Sequence, residues 1–236
     1  KMLSTKVDKI CVAYDGMERF FPADKIMKTG NPVRQNIINA DISREDAVRQ
    51  FGLDPAKKTI LIVGGSLGAR TVNESVLSHL DDIETSGVQF IWQTGKYYNA
   101  SIMQQLKSHK ELPMLRALDF ISDMGAAYKA ADLVISRAGA SSISEFCLIG
   151  KPVILVPSPN VAEDHQTKNA MALVDRDAAM MVRDIEAKDK VIRLALDTVM
   201  DQHKLDSLSE NVLKLGLPHS ADVIADEVLK LAENKQ

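Results

Sequence analysis

The sequence predicts an α/β fold with a doubly wound parallel sheet. Short apolar runs alternate with longer amphipathic stretches, which is the pattern of strands and helices in alternation. Four runs are apolar almost throughout, as strands buried on both faces of a parallel sheet are. These four are Thr59–Val63, Gln89–Thr94, Leu133–Ser136 and Val153–Pro157. No strand is expected after about Val182, and helices finish the chain.

Weaker strands and several helices complete the predicted order. The strands are mostly rich in β-branched or aromatic residues and end at turn-forming residues. They are Ile10–Tyr14, Lys25–Thr29, Leu115–Phe120 and Ala179–Val182. The helical patterns cover Ala69–Leu80, Tyr98–Ser108, Met124–Ala130, Ser141–Leu148, Gln166–Val174 and Ala187–Met200. A further polar helix is predicted to begin at the weak capping box Ser43-Arg44-Glu45-Asp46.

The length of 236 residues fits one large domain, or one domain with part of another. The chain begins with Lys1, so we expect it to be part of something longer. We predict that residues 1–29 end a preceding domain and that residues 30–218 form the main domain. Within the latter, Gly30–Phe51 links into the first strong strand. Residues 219–236 are expected to form a C-terminal helix that packs back toward the preceding domain.

Composition excludes several classes of function. The chain has 29 basic and 32 acidic residues, and no segment concentrates Lys and Arg as a nucleic-acid groove requires. Cys11 and Cys147 are far apart, which suits a reducing compartment, and no His, Cys and carboxylate cluster has metal-ligand spacing. No apolar run approaches the roughly 20 residues of a membrane helix. The soluble cytoplasm is therefore the expected location.

The segment Gly64–Arg70 follows a buried strand and opens a helix. Its glycines let backbone N–H groups approach an anion, and the helix N-terminus adds partial positive charge. Ser66 offers a hydroxyl to the same anion, next to the amide of Gly65. The alternative is a tight strand–helix turn with no ligand. The dinucleotide pattern Gly-x-Gly-x-x-Gly fails because Ser66 occupies its second glycine position, so an NAD site is weakly supported.

The same segment also matches Gly-x-Ser-x-Gly, the nucleophile elbow of α/β-hydrolases. In that interpretation Ser66 attacks, and an acid and a histidine follow it in the chain. Asp132 with His165, or Asp164 with His203, are the available pairs. A hydrolase is therefore the main rival interpretation.

A second anion-binding turn is predicted at Arg137–Glu145. Gly139 and Ala140 make a tight turn after a buried strand, and Ser141 and Ser142 are expected to cap the next helix. Glu145 lies one turn in, where its carboxylate would accept hydrogen bonds from a vicinal diol such as that of ribose. The alternative is a simple capping box, in which Glu145 reaches back to a backbone N–H.

A third polar segment, Glu163–Asn169, follows the strand Val153–Pro157. Ligands of open α/β sheets bind at the carboxyl ends of the strands. The amides of Gln166 and Asn169, with the imidazole of His165, suit sugar hydroxyls, which both donate and accept. A solvated helix start is the alternative.

Together these segments resemble the MurG family, the peptidoglycan N-acetylglucosaminyltransferases that convert lipid I to lipid II. The resemblance covers about two-thirds of the chain, in family order and with family-like spacing. The matching pieces are Gly30–Arg34, Gly64–Arg70, Gln93–Lys96, Phe120–Met124, Asp132–Glu145, Gly150–Pro152 and Asp164–Ala170. The resemblance implies a GT-B glycosyltransferase, of which this chain is the Rossmann-like, donor-binding C-terminal domain with the last piece of the N-terminal domain.

The resemblance also implies which residues bind UDP-GlcNAc. The backbone at Ile121 would bind uracil, Glu145 the ribose, and Ser66 with the first amides of the later turn the diphosphate. Arg34 would lie near the diphosphate, and Gln166 would contact the sugar. The whole implied set is Arg34, Gly65, Ser66, Ile121, Ala140, Ser141, Ser142, Ile143, Ser144, Glu145, His165, Gln166 and Asn169.

The implied reaction is a single inverting displacement, in which the MurNAc C4 hydroxyl of lipid I attacks the anomeric carbon and UDP leaves. It serves peptidoglycan synthesis, and through it cell-wall biogenesis, cell shape and division. No cofactor is implied, and no dedicated metal site. The family's glycine-rich loop and its candidates for the catalytic base lie in a domain that is not in this sequence. We therefore expect lipid I and the cytoplasmic face of the inner membrane to be contacted through that domain, and this piece alone to be inactive. The alternatives are a UDP-sugar epimerase or a non-catalytic binding module.

Overall fold

A computed structural model describes residues 4, 6–13, 16–161 and 164–233. The strands are β1 (Ile10–Val12), β2 (Ile26–Lys28), β3 (Thr59–Val63), β4 (Gln89–Gln93), β5 (Leu115–Leu118), β6 (Leu133–Ser136), β7 (Val153–Leu155) and β8 (Met180–Met181). The helices are α1 (Gln35–Ile38), α2 (Arg44–Gln50), α3 (Arg70–Leu77), α4 (Leu80–Thr85), α5 (Asn99–Lys107), α6 (Met124–Ala130), α7 (Ala140–Ile149), α8 (His165–Val174), α9 (Asp184–Met200), α10 (Gln202–Leu213) and α11 (Ser220–Glu233).

Six strands form one parallel sheet in the order β5-β4-β3-β6-β7-β8. From the centre, the chain runs outward through β3, β4 and β5 on one side, and through β6, β7 and β8 on the other. The direction of winding therefore reverses between β3 and β6. A crevice opens at such a reversal, outside the carboxyl ends of the strands. The predicted doubly wound parallel sheet is confirmed.

Helices cover both faces of this sheet because the central strands are apolar on both sides. On one face Leu61 belongs to a core made with α1, α2, α6, α7 and α8. On the other face Ile60, Ile62 and Trp92 pack in a core with α3, α4, α5 and α9. The alternation of neighbouring β3 residues between the two cores fixes the register of the strand.

The first strands form a separate, two-stranded parallel sheet. The amides of Thr29 and Gly30 donate to the Val12 carbonyl at 3.0 and 3.2 Å, so the chain leaves this small sheet directly at the start of the link. Tyr14, which was expected to end β1, lies outside the described residues. In the link, α1 packs on α6 and α7, and α2 packs on α6. The domain boundary near residue 29 remains a prediction.

The C-terminal helix α11 leaves large apolar side chains exposed, among them Val228 and Leu229. No helix in the described part of the chain is long and apolar enough to span a membrane.

One predicted helix and part of a predicted capping box differ from the structure. The stretch Ala69–Leu80 is not one helix, because α3 ends at Leu77 and the ring of His79 hydrogen-bonds to the Ser75 carbonyl at 2.9 Å before α4 begins. The Ser43 cap is confirmed, since its oxygen accepts from the Asp46 amide at 3.0 Å. The second half of that capping box is altered, because the Asp46 carboxylate accepts from the Ser43 hydroxyl at 2.8 Å.

Candidate functional site

A cavity of about 830 Å³ lies in the crevice between β3 and β6. Its walls come from the loops after β3, β6 and β7 and from the start of α9. The lining residues that matter below are Gly65, Arg137, Ser142, Ser158, Gln166 and Asp184. The cavity therefore lies where the sheet topology places a ligand.

The turn after β3 is built around closely packed backbone. Gly65 and Gly68 both have φ of +89°, which L side chains rarely adopt. A Cβ on Gly95 would lie 2.1 Å from the Gly68 nitrogen, and the Lys96 amide donates to the Ser66 carbonyl at 3.2 Å. The loops after β3 and β4 thus interlock. Ser66 is exposed on this turn.

The N-termini of α3 and α7, which border the cavity at this edge, lack a side-chain cap. Helix α3 has Ala69 at its N-cap and α7 has Gly139, and neither receives a side-chain hydrogen bond. The prediction that Ser141 and Ser142 cap α7 is wrong, because both lie inside its first turn. Unpaired amides at an N-terminus, together with the helix dipole, favour an anion.

Glu145 is held by a residue that sequence reasoning missed. The Tyr128 hydroxyl donates to its carboxylate at 2.7 Å. This contact replaces the capping box that was the alternative role for Glu145. Burial, and then the charge of Glu145, raise the pKa of Tyr128, so the phenol stays protonated. Exposed Arg34 is near enough for its charge to oppose that shift in the pKa.

Ile143 and Ser144 face away from the cavity, against expectation. Ile143 is buried and its amide donates to the Gly139 carbonyl at 3.0 Å. The Ser144 hydroxyl donates to the Ala140 carbonyl at 3.1 Å and accepts from the Asn31 side chain at 3.0 Å. Both line a second cavity of about 430 Å³ beside the link. The 3.6-residue helical period turns these positions toward the opposite side of α7.

The amide of Ile121 is already occupied, which limits the expected binding of uracil by this backbone to its carbonyl. It donates to Gln93 Oε1 at 3.0 Å, while Gln93 Nε2 donates to the Gly65 carbonyl at 3.0 Å. Among the described residues, none donates to the Ile121 carbonyl. Only that carbonyl is available to a ligand.

The third polar segment reaches the cavity through Gln166. Its Oε1 accepts from the Ser158 amide at 2.9 Å, so the side chain also holds the loop after β7. The Asn169 side chain donates to the Ala138 carbonyl at 3.2 Å. His165, the first residue of α8, is exposed. Glu163 lies outside the described residues.

Arg137 and Asp184 form an ion pair in the cavity wall that sequence reasoning did not assign to the site. Arg137 also donates to the carbonyls of Val156 and Pro157 at 3.1 and 3.3 Å. Asp184 accepts from the Thr71 hydroxyl at 3.0 Å. Arg137 stood inside a predicted motif. Asp184 gave no signal, because α9 was expected to begin only at Ala187.

The structure does not assemble a hydrolase triad. Ser66 follows the carboxyl end of β3, whereas Asp132 accepts from the amide of Thr59 at the amino end of that strand, at 2.8 Å. His203 follows a glutamine that is hydrogen-bonded to Lys58, also at the amino end. Each candidate pair thus has a member at the wrong edge of the sheet, and the hydrolase interpretation is wrong. The described residues contain no group of three or more potential metal ligands.

Comparison with known proteins identifies the family. The model of the "Glycosyltransferase family 28 C-terminal domain" matches residues 59–224. The chain belongs to this family. It is similar over 99% of its length to enzymes named UDP-N-acetylglucosamine--N-acetylmuramyl-(pentapeptide) pyrophosphoryl-undecaprenol N-acetylglucosamine transferase, with 64% identity to that of Phocaeicola vulgatus and 62% to that of Bacteroides fragilis. It spans 62% of the length of each.

Solved structures of the family 28 relatives and of other GT-B proteins share this fold. The crystal structure of Acinetobacter baumannii MurG matches with a TM-score of 0.72 and 27% identity, over 97% of this chain and 62% of that one. The resemblance to the MurG family is thereby confirmed. A UDP-N-acetylglucosamine 2-epimerase matches with a TM-score of 0.67 at 16% identity, over 99% of this chain and 60% of that one. At that identity the likeness shows the fold alone.

Proposed function

We propose that this family 28 domain binds UDP-GlcNAc for an inverting transfer of GlcNAc to lipid I. The observation that carries the proposal is the pair of helix N-termini without side-chain caps, of α3 and α7, that open into one cavity. Glu145 lies one helical turn beyond Ser142, which lines that cavity. Two such N-termini suit the two phosphates of a nucleotide sugar. The names of the relatives supply the sugar and the acceptor.

The diphosphate would lie between the turn after β3 and the start of α7. Gly65 and Ser66 offer an amide and a hydroxyl from one side, and Ser141 and Ser142 offer first-turn amides from the other. Arg34 adds an exposed positive charge near Glu145 and Tyr128. When UDP leaves, these groups stabilise the charge that develops on its phosphate.

A carboxylate and a carbonyl would recognise the nucleoside. Glu145, held by Tyr128, accepts from the ribose hydroxyls. The Ile121 carbonyl accepts from the N3–H of uracil, a donor that the cytosine ring lacks. This arrangement favours UDP over CDP.

The sugar would meet the amide side chains at the start of α8. With its oxygen bonded to the Ser158 amide, Gln166 keeps Nε2 for a sugar hydroxyl. Asn169 donates to the Ala138 carbonyl and keeps its oxygen as an acceptor. His165 is exposed at the start of the same helix. Together they present donors and acceptors, which sugar hydroxyls require.

The rest of the reaction is proposed for the complete protein. Residues 1–29 would end the acceptor domain, and α11 would pack back onto it through its exposed apolar side chains. The catalytic base and the contacts to lipid I and the cytoplasmic face of the inner membrane would belong to that domain. By this proposal, the present chain alone binds the donor without transferring sugar.

Calorimetric titration of the chain with UDP, 2′-deoxy-UDP and ADP tests the donor site. We expect UDP to bind more tightly than either analogue. Glu145→Ala should weaken UDP binding by about 1–3 kcal/mol, through loss of charge-assisted bonds to the ribose, and should remove the difference between UDP and 2′-deoxy-UDP.

Glu111→Ala is the matched control, because it removes an exposed carboxylate from the loop before the amino end of β5, away from the cavity. It should leave the affinities unchanged. Equal affinity for UDP and ADP in the unaltered chain would contradict the proposed donor.

A further inference from the structure

Asp184 places a carboxylate in the wall of a cavity that otherwise suits an anion. It lines the cavity with Gly65, Ser142 and Gln166, and its side chain is only 19% exposed. Among the described residues that line this cavity, Asp184 is the only acidic one, and the basic ones are Arg70 and Arg137. A fixed negative charge at this point weakens the binding of any anion in proportion to the anion's charge.

The carboxylate cannot easily turn away from the cavity. One oxygen accepts from Arg137, and the other accepts from the Thr71 hydroxyl at 3.0 Å. Arg137 is itself held by the carbonyls of Val156 and Pro157 at the end of β7. Arg137 is thus turned into the protein wall and compensates Asp184 instead of offering its full charge to a phosphate.

Free UDP and UDP-GlcNAc differ in charge in a way that such a carboxylate would detect. The terminal phosphate of UDP ionises a second time near pH ~6, whereas the β-phosphate of UDP-GlcNAc is esterified and cannot. At pH 8 UDP therefore carries about one more negative charge.

We propose that Asp184 is a specificity-determining residue that disfavours free UDP relative to UDP-GlcNAc and so promotes product release. The inference rests on the proposed function of this cavity as a diphosphate site. It assigns to the Arg137–Asp184 pair a role in discriminating charge, beyond that of joining the loops.

Asp184→Asn tests the inference by removing one negative charge with little change of shape. At pH 8, where UDP carries about three negative charges and UDP-GlcNAc about two, we expect UDP to bind about tenfold more tightly and UDP-GlcNAc about fivefold more tightly. The ratio of the two dissociation constants therefore shifts about twofold toward UDP. Calorimetry gives both constants, and the thermal midpoint of the variant shows whether it is folded.

Two matched variants separate charge from structure. Glu186→Gln removes a carboxylate that lies on the same helix turn as Asp184 but pairs with Arg183 and Lys190 outside the cavity. It should leave the ratio of the two dissociation constants unchanged. Thr71→Val removes one tether of Asp184 but keeps its charge, and it should also leave the ratio unchanged. A shift with Thr71→Val as large as with Asp184→Asn would overturn the inference.

The unaltered chain supplies a test that needs no variant. Between about pH 5.5 and pH 8 the terminal phosphate of UDP gains its second charge, while UDP-GlcNAc does not change. We expect UDP to gain no affinity relative to UDP-GlcNAc over this range, and a gain of twofold or more would overturn the inference. UDP-GlcNAc serves as the reference for any change of the site itself with pH. Absence of binding by both ligands would instead contradict the proposed function.

Discussion

In the six-stranded sheet, similar residues serve different purposes at the amino ends of the strands, here called the amino edge, and at their carboxyl ends, the carboxyl edge. At the amino edge, Asp132 accepts from Arg44 and from the Thr59 amide, both at 2.8 Å, and lies 3.5 Å from Lys58. At the carboxyl edge, glycine turns leave the N-termini of α3 and α7 without side-chain caps, and the cavity lies between them.

The contrast shows that charged residues alone do not mark a binding site. At the amino edge, Arg44 also donates to the carbonyls of Pro55 and Lys57, so its guanidinium ties the strand entry together. These charges satisfy one another and hold the fold. At the carboxyl edge, no side chain caps the starts of α3 and α7, where the ligand is proposed to bind. An ordered ion-pair network can therefore be structural, while a helix start without a side-chain cap is the better candidate for binding.

The largest effect is expected from a substitution that disrupts the packed loops at the carboxyl edge. In Gly95→Ala the new Cβ would lie 2.1 Å from the Gly68 nitrogen, at a φ of +82°. Backbone must move on both sides, so we expect a loss of stability of about 3 kcal/mol or more and a loss of UDP binding. Urea unfolding and calorimetry measure the two effects.

Gly87→Ala is its matched control. Gly87 also has a positive φ, of +73°, but a Cβ there meets nothing within 4 Å. It should lose only about 1 kcal/mol, from backbone strain, and keep full affinity for UDP. Similar losses of stability in both alanine variants would contradict the interlocked loops.

The next effect concerns the amino edge. Asp132→Ala leaves Arg44 and the Thr59 amide without their shared acceptor, and the aspartate side chain is only 13% exposed. We expect the free energy of unfolding to fall by about 2 kcal/mol, less than for a fully buried pair because Arg44 is partly exposed. UDP affinity in the folded fraction should not change. Asp46→Ala, which removes an exposed pair with Arg49 and a contact with the Ser43 hydroxyl, should cost clearly less. A large loss of UDP affinity in Asp132→Ala would break the division between the two edges.

The smallest expected effect concerns the buried charge of Lys151, at the amino edge. Burial lowers the pKa of Lys151 to about 8, and its ammonium donates to the Ala131 carbonyl at 2.7 Å. The unfolded lysine has a pKa near ~10.4, so above about pH 8 the unfolded state binds more protons. The free energy of unfolding should therefore rise with pH from about 8 to 10, by about 1 kcal/mol per unit relative to a chain without this group.

Lys151→Met provides that reference. It should be about 1 kcal/mol more stable than the unaltered chain at pH 7, because no charge is buried, and about 1 kcal/mol less stable by about pH 10, because the unaltered chain gains about 2 kcal/mol over that range. Comparison with this variant is needed because burial also raises the pKa of Cys147 to about 11, which lowers stability as the unfolded thiol ionises. Lys107→Met, at an exposed position on α5, is the control, and the difference in stability between it and the unaltered chain should not change with pH. Parallel pH curves for the unaltered chain and Lys151→Met would contradict the assignment.

Local patterns predicted the sheet and the two glycine turns well. The bounds of β3 and β6 agree with those predicted, because both strands are buried on both faces and their apolar runs end at turn residues. Helix α6 was also predicted with its observed bounds, from Met124 to Ala130. These features depend on neighbours in sequence, which a pattern records.

Contacts between distant segments could not be predicted in this way. Tyr128 holds Glu145 from another helix, and Gln93 reaches Ile121 from the neighbouring strand. The polar density around Gln166 did not show that its oxygen binds the Ser158 amide. A sequence shows which groups can hydrogen-bond, whereas only the packed fold decides which of them are already used.

The side chain of Gln93 has a consequence for how donor preference can change in evolution or by design. It joins the backbone of Gly65, in the proposed phosphate turn, to the backbone of Ile121, in the proposed base pocket. The two subsites therefore share one brace, and substitutions in them should couple non-additively. A library that varies the residues around Ile121 but keeps Gln93 should retain nucleotide binding far more often than a library that also varies Gln93 and Gly65. In the proposed site, recognition of the base and recognition of the phosphates therefore depend on the same side chain.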